Sequence, residues 1–167
     1  MHIDNTRESV MKILLPVDGS ELSLWAVRHA IGLTRAGLQA RFVLANVQEP
    51  PSLYEVVTVH DAEVLEGVAE GAGRHALEAA EALLREAGLP FESEIASGDP
   101  AHTLIELTEA HGCNAIVMGA RGVGALRAGL FGSVSRAVLD DAPVPVTIVK
   151  PPEPDAAAEA LDEPGVD

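Results

Sequence analysis

The chain has 167 residues, 47% of them apolar and 22% charged, which is material for one folded domain and excludes wholesale disorder. Only 3% are aromatic, so the core must be built from Val, Leu, Ile and Ala, and a stack of aromatics for single-stranded nucleic acid is not expected. The net charge of −15, from 26 acids against 11 bases, repels phosphate polymers and anionic membranes and argues against nucleic acid as a partner.

Part of that charge is terminal. Residues 151–167 carry six acids and no base. A segment rich in Pro, Ala, Glu and Asp cannot bury enough apolar surface to order itself. The expected organisation is a flexible N-terminus over 1–10, one domain over 11–150 and a disordered acidic tail over 151–167. Cys113 is the single cysteine, which leaves no disulfide and no zinc set of Cys and His. No apolar run reaches the ~18 residues of a membrane span. Residues 1–10 are polar and lack the apolar stretch of a signal peptide. These features point to a cytoplasmic protein without membrane insertion.

Short apolar runs alternate with longer helical patterns along the chain. Ile13 to Val17 reads as a buried strand, stopped by Asp18, Gly19 and Ser20. Ser20 can cap a helix, in which Leu22, Trp25, Ala26, His29, Ala30 and Leu33 recur on one face before Gly37 ends it. On that face His29 reads as a core histidine rather than a ligand. Arg41 to Val47 is a second buried strand, ended by Pro50 and Pro51. Asp61 to Ala87 reads as a long helix with Val64, Val68, Ala72, Ala76, Ala79 and Leu83 on one face. Gly67, Gly71 and Gly73 weaken its first half, each by about 1 kcal/mol against Ala. Phe91 to Ala96 alternates as a half-exposed edge strand does. Asp99 and Pro100 open a third helix, with Leu104, Leu107 and Thr108 pointing inward and Gly112 stopping it. Ala115 to Met118 is a buried strand, Ser133 to Leu139 a short helix and Val144 to Val149 a last strand.

This alternation implies a single doubly wound α/β domain, a five-stranded parallel sheet with helices on both faces. Ligands bind in such folds outside the carboxyl ends of the strands, where strand order reverses. Two strand ends look chemically special: Asp18 to Ser20 after the first, and Gly119 to Gly122 after the fourth. If those strands are neighbours, the order is 3-2-1-4-5.

The segment from Gly119 to Gly132 is glycine-rich. Gly119, Gly122 and Gly132 are spaced G-x2-G-x9-G, with Ser133 directly after. Glycine lets backbone N–H groups converge on an anion, and a helix start favours phosphate. Ser133 and Ser135 can add hydroxyl donors, and Arg121 and Arg127 local positive charge. The bland alternative is a surface loop with Ser133 as an ordinary N-cap. A Walker A loop is excluded, because Lys12 and Lys150 are the only lysines. A dinucleotide-type match at Gly71 to Ala76 lies inside a helical pattern and follows no strand. Asp18 can contact a ribose or help hold Mg²⁺, or serve only as a turn residue. The acids form no evident catalytic pair, and the six histidines show no metal spacing. Cys113 reads as a small apolar filler.

Three segments taken together resemble the universal stress protein family from Lys12 to Lys150. They are the stretch from Lys12 through Pro16, Val17 and Asp18 to Ser20, the stretch from Val146 to Lys150, and the glycine loop with its serine. The loop is similar to that of the family's ATP-binding branch. The resemblance implies that Pro16, Val17 and Asp18 line a nucleotide cleft near adenine and ribose. It implies that Val47 meets the adenine edge through its backbone and that Met118 and Gly119 flank ribose and phosphates. Gly122, Gly132, Ser133, Val134 and Ser135 are then expected at the phosphates, and Val144 to Val149 in a homodimer contact. Asn46 stands where the family commonly has histidine. The implied function is an ATP-dependent regulatory homodimer in stress response. The alternatives are a slow ATPase or phosphotransfer enzyme, for which no base is evident, and a flavin module, which the few aromatics disfavour.

Overall fold

The computed structural model describes residues 10–52, 62–121 and 131–151. Its elements run β1 (Met11–Pro16), α1 (Glu21–Arg35), β2 (Ala40–Gln48), α2 (Ala62–Glu86), β3 (Phe91–Ser97), α3 (Pro100–Ala110), β4 (Ala115–Gly119), α4 (Ser133–Asp141) and β5 (Val146–Val149). All strands pair in parallel, in the order β3-β2-β1-β4-β5. The expected fold class and strand order are therefore those observed. The central strands are apolar on both faces, because helices cover both. On one side Ile13, Leu15, Phe42, Leu44 and Val117 meet Val27 and Ile31 of α1 and Leu77 and Leu84 of α2. On the other, Leu14, Val43, Ala45, Ile116 and Met118 meet Leu104 of α3 and Val138 of α4.

Local chemistry explains the element ends. Ser20 caps α1 by accepting the Ser23 N–H at 3.2 Å, and Asp99 caps α3 by accepting the His102 N–H at 3.0 Å. The strand expected from Val144 begins at Val146, directly after Pro145, whose carbonyl still accepts the Ile116 N–H at 2.9 Å. Proline has no N–H for the ladder, so pairing starts after it.

Two helix faces differ from expectation. In α1 the buried residues are Ser23, Leu24, Ala26, Val27, Ala30 and Ile31. His29 is exposed, not in the core, and Trp25 lies half-buried with the Arg28 guanidinium 4.9 Å from its ring. In α2 the buried stripe is Gly73, Leu77, Ala80 and Leu84, whereas Val64 and Val68 are 51% and 66% exposed. Both helices carry two overlapping apolar stripes. In α2 the leucines bury more area than the valines and select the face, and in α1 Leu24, Val27 and Ile31 have no polar side-chain atoms to bury, unlike Trp25 and His29. The tail from residue 152 and the segment 1–9 lie outside the described residues.

At the amino end of the sheet, charged groups tie β1, β3 and the end of α3 together. Lys12 Nζ lies 2.6 Å from Glu92 Oε1, and His111 faces Glu92 at 3.4 Å and Glu94 at 3.7 Å. The hydrogen bond from Lys12 holds the Glu92 carboxyl below its ordinary range, helped by the nearby positive charges. A depressed carboxyl contributes stability above its unfolded-state pKa and loses it as pH falls through the lower folded value. The effect is small, because half-exposed charges are screened. Lys12→Met is expected to move the Glu92 midpoint upward in a carboxyl-carbon NMR titration, and an unmoved midpoint would refute this origin. Beside this cluster Cys113 is buried, which raises its thiol above the ordinary range and keeps it protonated and unreactive.

Candidate functional site

The connections leaving β1 and β4 run to opposite faces of the sheet, so a crevice opens between them. β1 and β4 are neighbours, through Ile13 with Ala115 and Leu14 with Ile116. A cleft of about 920 Å³ opens at their carboxyl ends. Pro16, Val17 and Asp18 line it from β1, Val47 from β2, and Met118, Gly119 and Arg121 from β4. Gly132, Ser133, Val134 and Ser135 line it from the start of α4. Gly122 and Arg127 lie outside the described residues.

Each wall has a physical cause. Asp18 turns the chain after β1: its Oδ1 accepts the Ser20 N–H at 2.9 Å and the Ser20 hydroxyl at 2.5 Å. The carboxylate is exposed at the mouth of the cleft, so its turn role and a ligand role are compatible. Gly119 lies against the first turn of α1. A Cβ there would stand 2.9 Å from the Leu22 carbonyl oxygen, a distance no side chain tolerates.

The glycine loop leaves and returns through a tied neck. The Gly132 N–H donates to the Ala120 carbonyl at 2.9 Å. The Ser135 hydroxyl donates to the same carbonyl at 2.7 Å and approaches the Gly132 carbonyl at 3.2 Å. Ser135 is 2% exposed at the cleft wall, and its hydroxyl proton fastens the neck. The cap of α4 is Gly132, not Ser133, and no side chain satisfies the first turn. That leaves Ser133 exposed at the cleft wall, beside a helix start whose first-turn N–H groups no side chain caps. The described residues hold no group of three or more His, Cys, Asp or Glu suited to a metal ion.

The cleft has lining residues that sequence reasoning missed. They are Leu65 and Ala69 of α2, Pro100 and Leu104 of α3, and Gln48 of β2; Asn46, whose contact the resemblance left open, borders it too. Asn46 is 2% exposed and donates from Nδ2 to the Val17 carbonyl at 2.8 Å. Gln48 donates from Nε2 to Asn46 Oδ1 at 2.6 Å. A signal for this pair was present: both share the strand face of Phe42 and Leu44, yet both are polar. A buried amide such as that of Asn46 needs a partner, and Gln48, half-buried at the strand end, supplies one.

Among the described residues, no helix is long and apolar enough to cross a membrane. The family model described as the universal stress protein family matches residues 10–150. Universal stress protein MJ0531 of Methanocaldococcus jannaschii is 30% identical over 151 residues, spanning 90% of this chain and 88% of that protein. The solved structure of the hypothetical protein MJ0577 superposes with a TM-score of 0.70 at 25% identity, covering 87% of this chain and 99% of that one. A universal stress family protein from Arabidopsis thaliana, solved with AMP bound, has a TM-score of 0.63 at 19% identity and covers 89% and 98% of the two chains. That last likeness concerns the fold alone. With its sheet order, its glycine loop and a match across the whole domain, the chain belongs to the universal stress protein family.

Proposed function

We propose that the cleft binds an adenine nucleotide, ATP with Mg²⁺, and that the chain works as a cytoplasmic, nucleotide-dependent regulatory homodimer in a stress response. The observation that carries this reading is the start of α4. A helix whose first turn no side chain caps opens, beside an exposed serine, onto a cleft at the reversal of a parallel sheet. Backbone donors and the helix dipole favour an anion there, and glycines allow it to approach. Parallel strands lie about 4.8 Å apart, so the ends of β2 and β4 stand about 10 Å apart across β1. That is the reach from the phosphates of a nucleotide to its base, which then lies over Val17 and Val47. Arg121 adds positive charge near the phosphates. Mg²⁺ is held chiefly by phosphates in such sites, and Asp18 is the carboxylate we assign to it. Bound Mg²⁺ would neutralise phosphate charge in this acidic protein. Denaturing the purified protein and analysing the released small molecules tests the reading: an adenine nucleotide is expected, and failure of ATP to bind in calorimetry would overturn it.

We assign the homodimer contact to β5. It pairs with β4 on one side and is an edge strand of the sheet among the described residues. An edge with apolar Val146, Ile148 and Val149 is an aggregation hazard unless another chain covers it. Thr147 is the exposed residue of the strand and can be changed without touching the core. Sedimentation is expected to show a dimer for the wild type and a monomer for Thr147→Lys. A wild type that stays monomeric across micromolar concentrations would refute the contact.

A further inference from the structure

The base end of the cleft holds a polar relay that phosphate binding does not use. The Val17 carbonyl can only accept a hydrogen bond, so the Asn46 amide must turn its Nδ2 toward it, at 2.8 Å. That places Asn46 Oδ1 on the other side, facing Gln48. Oδ1 can only accept, so Gln48 must meet it with Nε2, at 2.6 Å. The backbone just after β1 thereby sets the orientation of two successive side-chain amides. Neither can flip without setting like groups against each other. Asn46 is locked further by α2, since the Gly73 backbone comes so close that a Cβ there would stand 2.9 Å from Asn46 Oδ1. The remaining group is Gln48 Oε1, an acceptor on a residue that lines the cleft next to Val47.

We propose that Gln48 reads the base of the bound nucleotide, its side-chain carbonyl accepting from an exocyclic amine on the purine and rejecting a carbonyl at the same position. This rests on the nucleotide-binding reading above and goes beyond it, adding a side-chain acceptor beside the backbone of Val47, which the family resemblance places at the adenine edge. Asn46 acts as a positioning residue that holds the Gln48 amide in the accepting orientation.

Adenosine and inosine triphosphates differ at this position, amine against carbonyl, so the pair serves as the probe. Calorimetry on the full chain with Mg²⁺ is expected to show ATP bound about tenfold more tightly than ITP, the effect of one hydrogen bond gained against two facing acceptors. Gln48→Met keeps the length of the side chain and removes its acceptor. It is expected to weaken ATP binding about three- to tenfold, to leave ITP binding unchanged and so to lower the ratio by the same factor. A merely structural role for Gln48 would lower both affinities together and preserve the ratio. Equal wild-type affinities, or a ratio that survives in Gln48→Met, would overturn the assignment while leaving nucleotide binding intact. Binding of neither nucleotide by the wild type would overturn both. The wild-type comparison needs no variant, so a poorly folding Gln48→Met does not remove the test.

Discussion

Gly132→Val is expected to abolish measurable ATP binding, and Ser133→Ala to weaken it by about ten- to a hundredfold. Gly132 is the cap of α4, with φ −66° and ψ 160°. That is an extended conformation open to any residue, so valine there does not strain the backbone. Its side chain instead occupies space beside the uncapped N–H groups, where a phosphate would sit. Ser133 is exposed in the cleft, and its hydroxyl is not needed to cap the helix. Loss of a hydrogen bond to a charged group costs about 1.5–3 kcal/mol, which is the stated range of affinity. Thermal melting of both variants without nucleotide is expected to match the wild type. Wild-type affinity by calorimetry in either variant would move the phosphates away from α4.

Gly73→Ala is expected to destabilise the fold by about 1–3 kcal/mol, while Gly67→Ala and Gly71→Ala stabilise it by up to about 1 kcal/mol each. All three lie inside α2, where helix propensity alone favours alanine at every one. The surroundings separate them. A Cβ on Gly67 or Gly71 meets nothing within 4 Å. A Cβ on Gly73 would stand 2.7 Å from Ile95 Cγ2 and 2.9 Å from Asn46 Oδ1. Ile95 is β-branched and stiff, and Asn46 is fixed by Val17 and Gln48. Neither can move aside cheaply, so α2 must be pushed off the sheet. Each kcal/mol is about 2–4 °C in melting temperature for a domain of this size. A Gly73→Ala variant that melts at or above the wild type would show that the contact between α2 and β2 is looser than described. Gly73→Ala also disturbs the base end of the cleft, so its ATP affinity is expected to fall while those of Gly67→Ala and Gly71→Ala do not.

The sequence by itself determined the alternation of strands and helices, hence a parallel sheet, and marked the two strand ends between which the order reverses. Strands such as Ile13–Val17 and Ala115–Met118 are short, apolar on both faces and bounded by Gly or Asp. These properties are local and period-independent, and only helices on both sides of a parallel sheet satisfy them. The glycine loop was legible for the same reason: its spacing and the serine after it lie in one stretch of chain. Tertiary structure alone decided which stripe of α1 and α2 turns inward. His29 and Val68 lie on apolar stripes as regular as those actually buried, and the choice rests on which side chains fit the sheet. The same holds for Gly73, which reads as a weak point in a helix and proves to leave no room for a Cβ against Ile95 and Asn46. It holds for Ser135, whose hydroxyl finds the Ala120 carbonyl fifteen residues away. It holds most of all for Gln48, whose orientation is set by a carbonyl just after β1 through an intervening asparagine. Hydrogen-bond partners distant in sequence leave no period and no spacing, because the distance that matters exists only once the chain has folded.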